Sequence, residues 1–169
     1  MLSDRIVLRR AGENDRAALN ALTQASAAYR GPYRAMLDGY VISEAQIAED
    51  IFVLAERAGK ILGYYSLTTT PAPELDLLFV ANEAQGSGVG AALIADLKRE
   101  AAARGIRAIK IISHPPAQAF YERMGARVVG QEPASGPVSW TRPILELTVS
   151  DERSGDRHVR GDIARQGDA

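Results

Sequence analysis

At 169 residues and 18.2 kDa the chain is sized for one compact domain, and its 46% hydrophobic and 24% charged residues argue against wholesale disorder or a fibrous repeat. Twenty basic against 21 acidic residues leave a net charge of -1, without the basic excess that phosphate-backbone binding demands, so nucleic acid is not an expected partner. The lack of cysteine removes disulfides, thiolate metal sites and a cysteine nucleophile, and with only His114 and His158 to supply imidazole no metal is expected. No apolar run approaches a membrane span, and Asp4 and Arg5 interrupt the start where a signal peptide is apolar; the expectation is a soluble, cytoplasmic protein with no membrane partner.

Ile6, Val7 and Leu8, followed by Arg9 and Arg10, predict a first strand. After Gly12 the polar group Glu13, Asn14 and Asp15 offers a helix cap, and Ala18, Leu19, Leu22, Ala25 and Tyr29 recur at helical spacing until Gly31 and Pro32. Tyr29 to Tyr40, with three tyrosines and two arginines among its breakers, reads as a connection or binding loop. Ser43 and Gln46 have the spacing of a capping box for a short helix reaching about Asp50. Ile51 to Arg57 and Ile61 to Thr70 flank Ala58, Gly59 and Lys60 as a hairpin, and Glu74 to Val80 forms the next strand.

A long helix is predicted from about Val89, with Leu93, Leu97 and Ala101 continuing its apolar stripe and Gly105 ending it. The isoleucine-rich run Ile106 to Ser113 is a strand, and Pro115 and Pro116 suit the first turn of a helix whose stripe is Ala117, Phe120, Tyr121 and Met124. Ala126 to Glu132 and Val138 to Ser150 close the domain as two strands. The expected division is a folded domain over residues 1–150 and a polar, solvated or disordered tail over 151–169.

The glycine-rich QGSGVG, Gln85 to Gly90, falls between a predicted strand and a predicted helix, where backbone amides and the helix dipole can hold phosphate. As a bare pattern it is weak. Gly86 to Ala91 also satisfies a dinucleotide fingerprint, but Ala81 to Gln85 intervene after the strand and no acidic ribose ligand ends the next one, which disfavours nicotinamide. A Walker phosphate loop fails because no Lys-Ser or Lys-Thr follows the glycines.

LFVANEAQGSGVGAALI, followed after a strand by HPPAQAFYERMGARVVG, resembles the GNAT superfamily of acyl-CoA-dependent N-acyltransferases over Ile6 to about Leu147. The resemblance implies a three-layer α/β/α fold of the α+β class, with a mixed, mostly antiparallel sheet of about seven strands. It implies acetyl-CoA as donor cosubstrate, with Leu78, Phe79 and Val80 pairing with the pantetheine arm. Gln85, Gly86, Ser87, Gly88, Val89, Gly90 and Ala91 would cradle the pyrophosphate, Gly88 and Gly90 sparing it a side-chain collision. His114 stands where the family often has a cofactor-contacting Asn. Tyr121 matches a tyrosine that in many members lies near the thioester sulfur and donates its proton to departing CoA.

Glu74 is the candidate general base, with period-two alternation expected to put Glu74, Asp76, Leu78 and Val80 on one face and Leu75, Leu77 and Phe79 on the other. The expected reaction is transfer of an acetyl or short acyl group to a primary amine, small molecule or peptide, by direct attack in a ternary complex. The alternative is a non-catalytic acyl-CoA sensor or scaffold. Tyr29, Arg30, Tyr33, Arg34, Tyr40, Tyr64, Tyr65 and Trp140 are candidates to line the acceptor pocket, and a homodimer through the last strands is compatible with the sequence.

Overall fold

The computed structural model describes residues 4–150, so the expected tail at 151–169 lies outside the described residues. Seven strands form one sheet in the order β1-β2-β3-β4-β5-β7-β6. They are β1 Val7–Arg10, β2 Ile51–Arg57, β3 Lys60–Thr68, β4 Glu74–Val80, β5 Ala108–Ile112, β6 Ala126–Glu132 and β7 Arg142–Thr148. Helices α1 Arg16–Gln24, α2 Glu44–Glu49, α3 Val89–Ala103 and α4 Gln118–Arg123 complete the fold. Two cores separated by the sheet make it a three-layer α+β structure. Val89, Leu93, Leu97 and Ala101 of α3 and Tyr121 of α4 pack with Leu75, Ile109, Ile111, Leu145 and Leu147 on one side. Leu19 of α1 and Ile47 of α2 pack with Phe52, Leu54, Tyr64 and Phe79 on the other.

The long helix forms where its stripe predicts and stops for a local reason. Gly105 takes φ 73°, and the Ile106 and Gly105 amides donate to the carbonyls of Ala101 (2.9 Å) and Ala102 (3.1 Å), a Schellman closure that needs a residue tolerant of positive φ. Each buried Val or Leu on its inner face contributes roughly 1.5–3 kcal/mol. Close approach to the sheet is set by Gly63 of β3, where an added Cβ would lie 2.8 Å from the Phe79 carbonyl oxygen and 3.2 Å from Leu93.

The first helix is shorter than its periodicity predicts. α1 ends at Gln24 because Asn82, after β4, captures the chain that follows: Asn82 Nδ2 donates to the Ala25 carbonyl (2.7 Å) and Asn82 Oδ1 accepts from the Ala27 amide (2.9 Å). Tyr29 is thereby released from the helix into the segment before a 3-10 turn at Gly31–Met36. The capping box is half realised. Ser43 Oγ accepts from the Gln46 amide (3.0 Å), but the Gln46 side chain turns away to Tyr40 Oη (2.9 Å) and Asp76 Oδ2 (3.3 Å).

All neighbouring strands are antiparallel except β4 and β5, which run parallel and share a single register pair, Glu74 with Lys110. Beyond that pair the two strands diverge and split the sheet. β4 also carries a bulge: Leu67 and Ser66 of β3 face Leu75 and Leu77, leaving Asp76 as the extra residue. The strict alternation expected of β4 is therefore incorrect. Leu75, Leu78 and Val80 pack toward α3 and α4, Leu77 and Phe79 toward α1 and α2, and the bulge resets the phase between the two halves.

Candidate functional site

The split between β4 and β5 opens a groove of about 720 Å³. Its walls include the outer edge of β4, the glycine turn, Phe120 and Tyr121 of α4, and Tyr29 and Tyr40 from the α1–α2 connection. β4 offers main-chain groups along this edge. The Ala81 amide donates to the Leu62 carbonyl of β3 (2.8 Å), so by alternation Phe79 turns its main chain toward β3 while Leu78 and Val80 turn theirs toward the split. Of the three residues expected to offer main-chain partners, two present them. The Val80 carbonyl is taken by Gln85 Nε2 (3.0 Å), which braces the turn leading into α3.

That turn ends with Gly86 and Gly88 at φ 73° and 86°, and Gly88, the N-cap of α3, has no side chain to close the helix end. The Ser87 hydroxyl donates to the Ala84 carbonyl. Among the described residues the amides of Val89, Gly90 and Ala91 have no protein acceptor, which leaves a donor cluster at the positive end of a 15-residue helix. Gly90 has a second constraint: a Cβ there would meet Phe120 at 3.1 Å, so its bareness also lets α4 lie against α3.

Tyr121 is buried, with 8% exposure, and its hydroxyl makes no hydrogen bond among the described residues although the residue lines the groove. Burial drives the phenol pKa well above its ordinary value, so it remains a proton donor at any working pH. Glu74 and Asp76 stand on the opposite wall. Desolvation raises the pKa of both; Lys110 and Arg142 partly offset the effect at Glu74, and the Gln46 hydrogen bond does so at Asp76.

His114 sits in the aromatic strap over the split rather than at the glycine turn. Its ring stacks on Tyr29 (centroids 4.1 Å apart) and meets Tyr33 edge-on (4.7 Å), and Tyr33 in turn meets Trp140 edge-on (4.9 Å). Nε2 donates to the Ala28 carbonyl (2.9 Å), and burial lowers the imidazole pKa, which favours the neutral ring with Nδ1 unprotonated. Two of the acceptor-pocket candidates are core residues instead: Tyr64 and Tyr65 are both at 0% exposure, with hydroxyls bound to Thr23 and to Asp96 (2.7 Å). Sequence reasoning missed Asn82, the Gln46–Tyr40–Asp76 network and Arg142. Asn82 and Asp76 take their places through partners distant in sequence, Arg142 through the assembly of β7 into the sheet, and no local pattern marks them.

The family model described as Acetyltransferase (GNAT) domain matches residues 34–143. The chain belongs to the GNAT acetyltransferases. The fold agrees with solved members: a GCN5-related N-acetyltransferase from Rhodopseudomonas palustris (22% identity, TM-score 0.70) covers 88% of this chain and 98% of its own. The ribosomal-protein-S18-alanine N-acetyltransferase of Escherichia coli (18%, 0.66) covers 86% of this GNAT chain and 95% of its own. PaiA N-acetyltransferase from Thermoplasma acidophilum (17%, 0.68), solved in complex with coenzyme A, covers 85% and 99%. No curated protein matches the sequence. The chain is accordingly an acyltransferase enzyme, with the expected α+β, seven-stranded GNAT fold. Among the described residues of this GNAT protein, no helix is long and apolar enough to cross a membrane.

Proposed function

We propose that this GNAT enzyme moves an acetyl group from acetyl-CoA to a primary amine by direct attack within a ternary complex. The observation that carries the reading is the joint presentation, along one groove, of the open β4 main chain at Leu78 and at the Val80 amide, the open amides of Val89 to Ala91, and a buried phenol without a partner among the described residues. The amides and the turn from Gln85 to Gly88 hold the pyrophosphate, and the β4 edge pairs with the amides of the pantetheine arm. Phe79 contributes packing, since its main chain faces β3. His114 acts as a positioning residue that holds Tyr29 and the Ala28 carbonyl over the split.

Acyl transfer requires a neutral nucleophile. Glu74, alone or through a water, takes a proton from the ammonium; the neutral nitrogen attacks the thioester carbonyl, the β4 amides stabilise the oxyanion, and the positively charged nitrogen of the tetrahedral intermediate loses its second proton to water. Collapse expels the CoA thiolate toward the Tyr121 hydroxyl. Calorimetric titration is expected to give stoichiometric binding of acetyl-CoA and none of NAD; no binding of acetyl-CoA at millimolar concentration would defeat the reading.

A base is active when deprotonated, so kcat/KM should rise with pH through the Glu74 pKa, which desolvation raises from its ordinary value. Glu74→Gln should lower kcat/KM by about 10²-fold and abolish that acid limb. Loss of the limb in Asp76→Asn but not in Glu74→Gln would transfer the role to Asp76.

A further inference from the structure

Arg142, the first residue of β7, is a cation on the wall of the groove whose field reaches Glu74 and Tyr29. Its guanidinium makes no hydrogen bond or ion pair among the described residues, and its Nε is shut off from solvent without a partner. Of the charged groups nearby, Arg127 is paired with Glu146 at 3.2 Å and Asp76 accepts from Gln46 at 3.3 Å. Two residues before Arg142, Trp140 Nε1 is likewise buried without an acceptor. Unpaired buried donors cost free energy unless something absent from the free protein accepts from them.

Strand register fixes which side of the sheet this donor serves. Leu145 and Leu147 of β7 enter the core beneath α3 and α4, so Arg142, Ile144 and Glu146 face the other way. Lys110, paired with Glu146, and Glu74, paired with Lys110, share that outer face. Asp76, held by Gln46 of α2, also lies on the α1–α2 side. The glycine turn and Tyr121 belong to α3 and α4, on the inner face. Arg142 is therefore on the acceptor side of the split, away from the donor's phosphates.

We infer that the acceptor is an amine carrying a carboxylate, as in an amino acid, with Arg142 gripping the carboxylate while Glu74 and Asp76 face the amine. The inference rests on the acetyl-transfer reading and deepens it. A guanidinium fork matches a carboxylate in a bidentate way, and the trio of one cation and two anions on one wall complements a zwitterion rather than a plain cation. A simple polyamine would place positive charge against Arg142.

The test uses thiol release from acetyl-CoA with the twenty L-amino acids, their carboxamides and the corresponding decarboxylated amines, with taurine and O-phosphoethanolamine included to separate carboxylate from sulfonate and phosphate. At least one amino acid should exceed its own carboxamide in kcat/KM by roughly 10- to 100-fold, mainly through KM. Arg142→Gln should collapse that ratio toward one, and Arg142→Lys should restore part of it. Four results overturn the inference: carboxamides or decarboxylated amines preferred by the wild type, a ratio unchanged in Arg142→Gln, sulfonate or phosphate acceptors preferred, or bound acetyl-CoA with no amino acid reacting. Failure to bind acetyl-CoA is a different result and removes the acetyl-transfer reading itself. If Arg142→Gln does not fold, the wild-type ratio and Arg142→Lys still decide.

Discussion

Tyr121→Phe should lower kcat by about 10²-fold or more while leaving the Kd for acetyl-CoA close to the wild-type value. The hydroxyl is the only group removed and has no protein partner to lose, so the ring keeps its place beside Phe120 and the stability change should stay within about 1 kcal/mol. What disappears is the donor proposed to meet the departing sulfur. Burial raises the phenol pKa far above that of a thiol, which is ordinarily about 8.5. Complete proton transfer to the thiolate is therefore uphill, so in the proposed mechanism the hydroxyl works chiefly by hydrogen bonding to the charge as it develops. Pre-steady-state and steady-state thiol release, read beside calorimetry, check the claim. An unchanged kcat in Tyr121→Phe would reduce Tyr121 to a packing residue of α4.

Gly88→Val should weaken acetyl-CoA binding by at least tenfold and destabilise the fold by about 1–3 kcal/mol. The cause is conformational rather than steric: nothing lies within 4 Å of a Cβ built on Gly88, yet its φ of 86° is one that a β-branched side chain resists. A chain that relaxes this angle rotates the peptide planes entering α3 and misaims the amides of Val89, Gly90 and Ala91. Gly88→Asn, which tolerates the left-handed region, should retain most of both properties. Thermal unfolding should show a fall of roughly 2–10 °C for the valine variant. Equal losses of binding in both variants, with unfolding unaffected, would mean that the site requires empty space at this position rather than the angle.

The amino-acid sequence alone determined the features that are enforced within a few residues. The hairpin at Ala58 and Gly59, the stripe of α3 with its stop at Gly105, the double proline opening the turn into α4, and the glycine turn with Tyr121 two elements later are all local, and they carried the fold class and the family. Tertiary structure decided the rest. Asn82 ended α1 by offering Ala25 and Ala27 partners better placed than another helical turn, and a periodicity count cannot see an acceptor 55 residues away. The bulge at Asp76 reset the faces of β4, because register depends on how β3 lies beside it. Gln46 left its capping role for Tyr40 and Asp76, while Tyr64 and Tyr65 went into the core; a tyrosine in a strand reads the same whether its hydroxyl meets Thr23, Asp96 or a ligand. Arg142 became conspicuous only once the fold set its partnerless Nε into the wall of the groove near Glu74, since burial and pairing are properties of the assembled sheet and not of the residue.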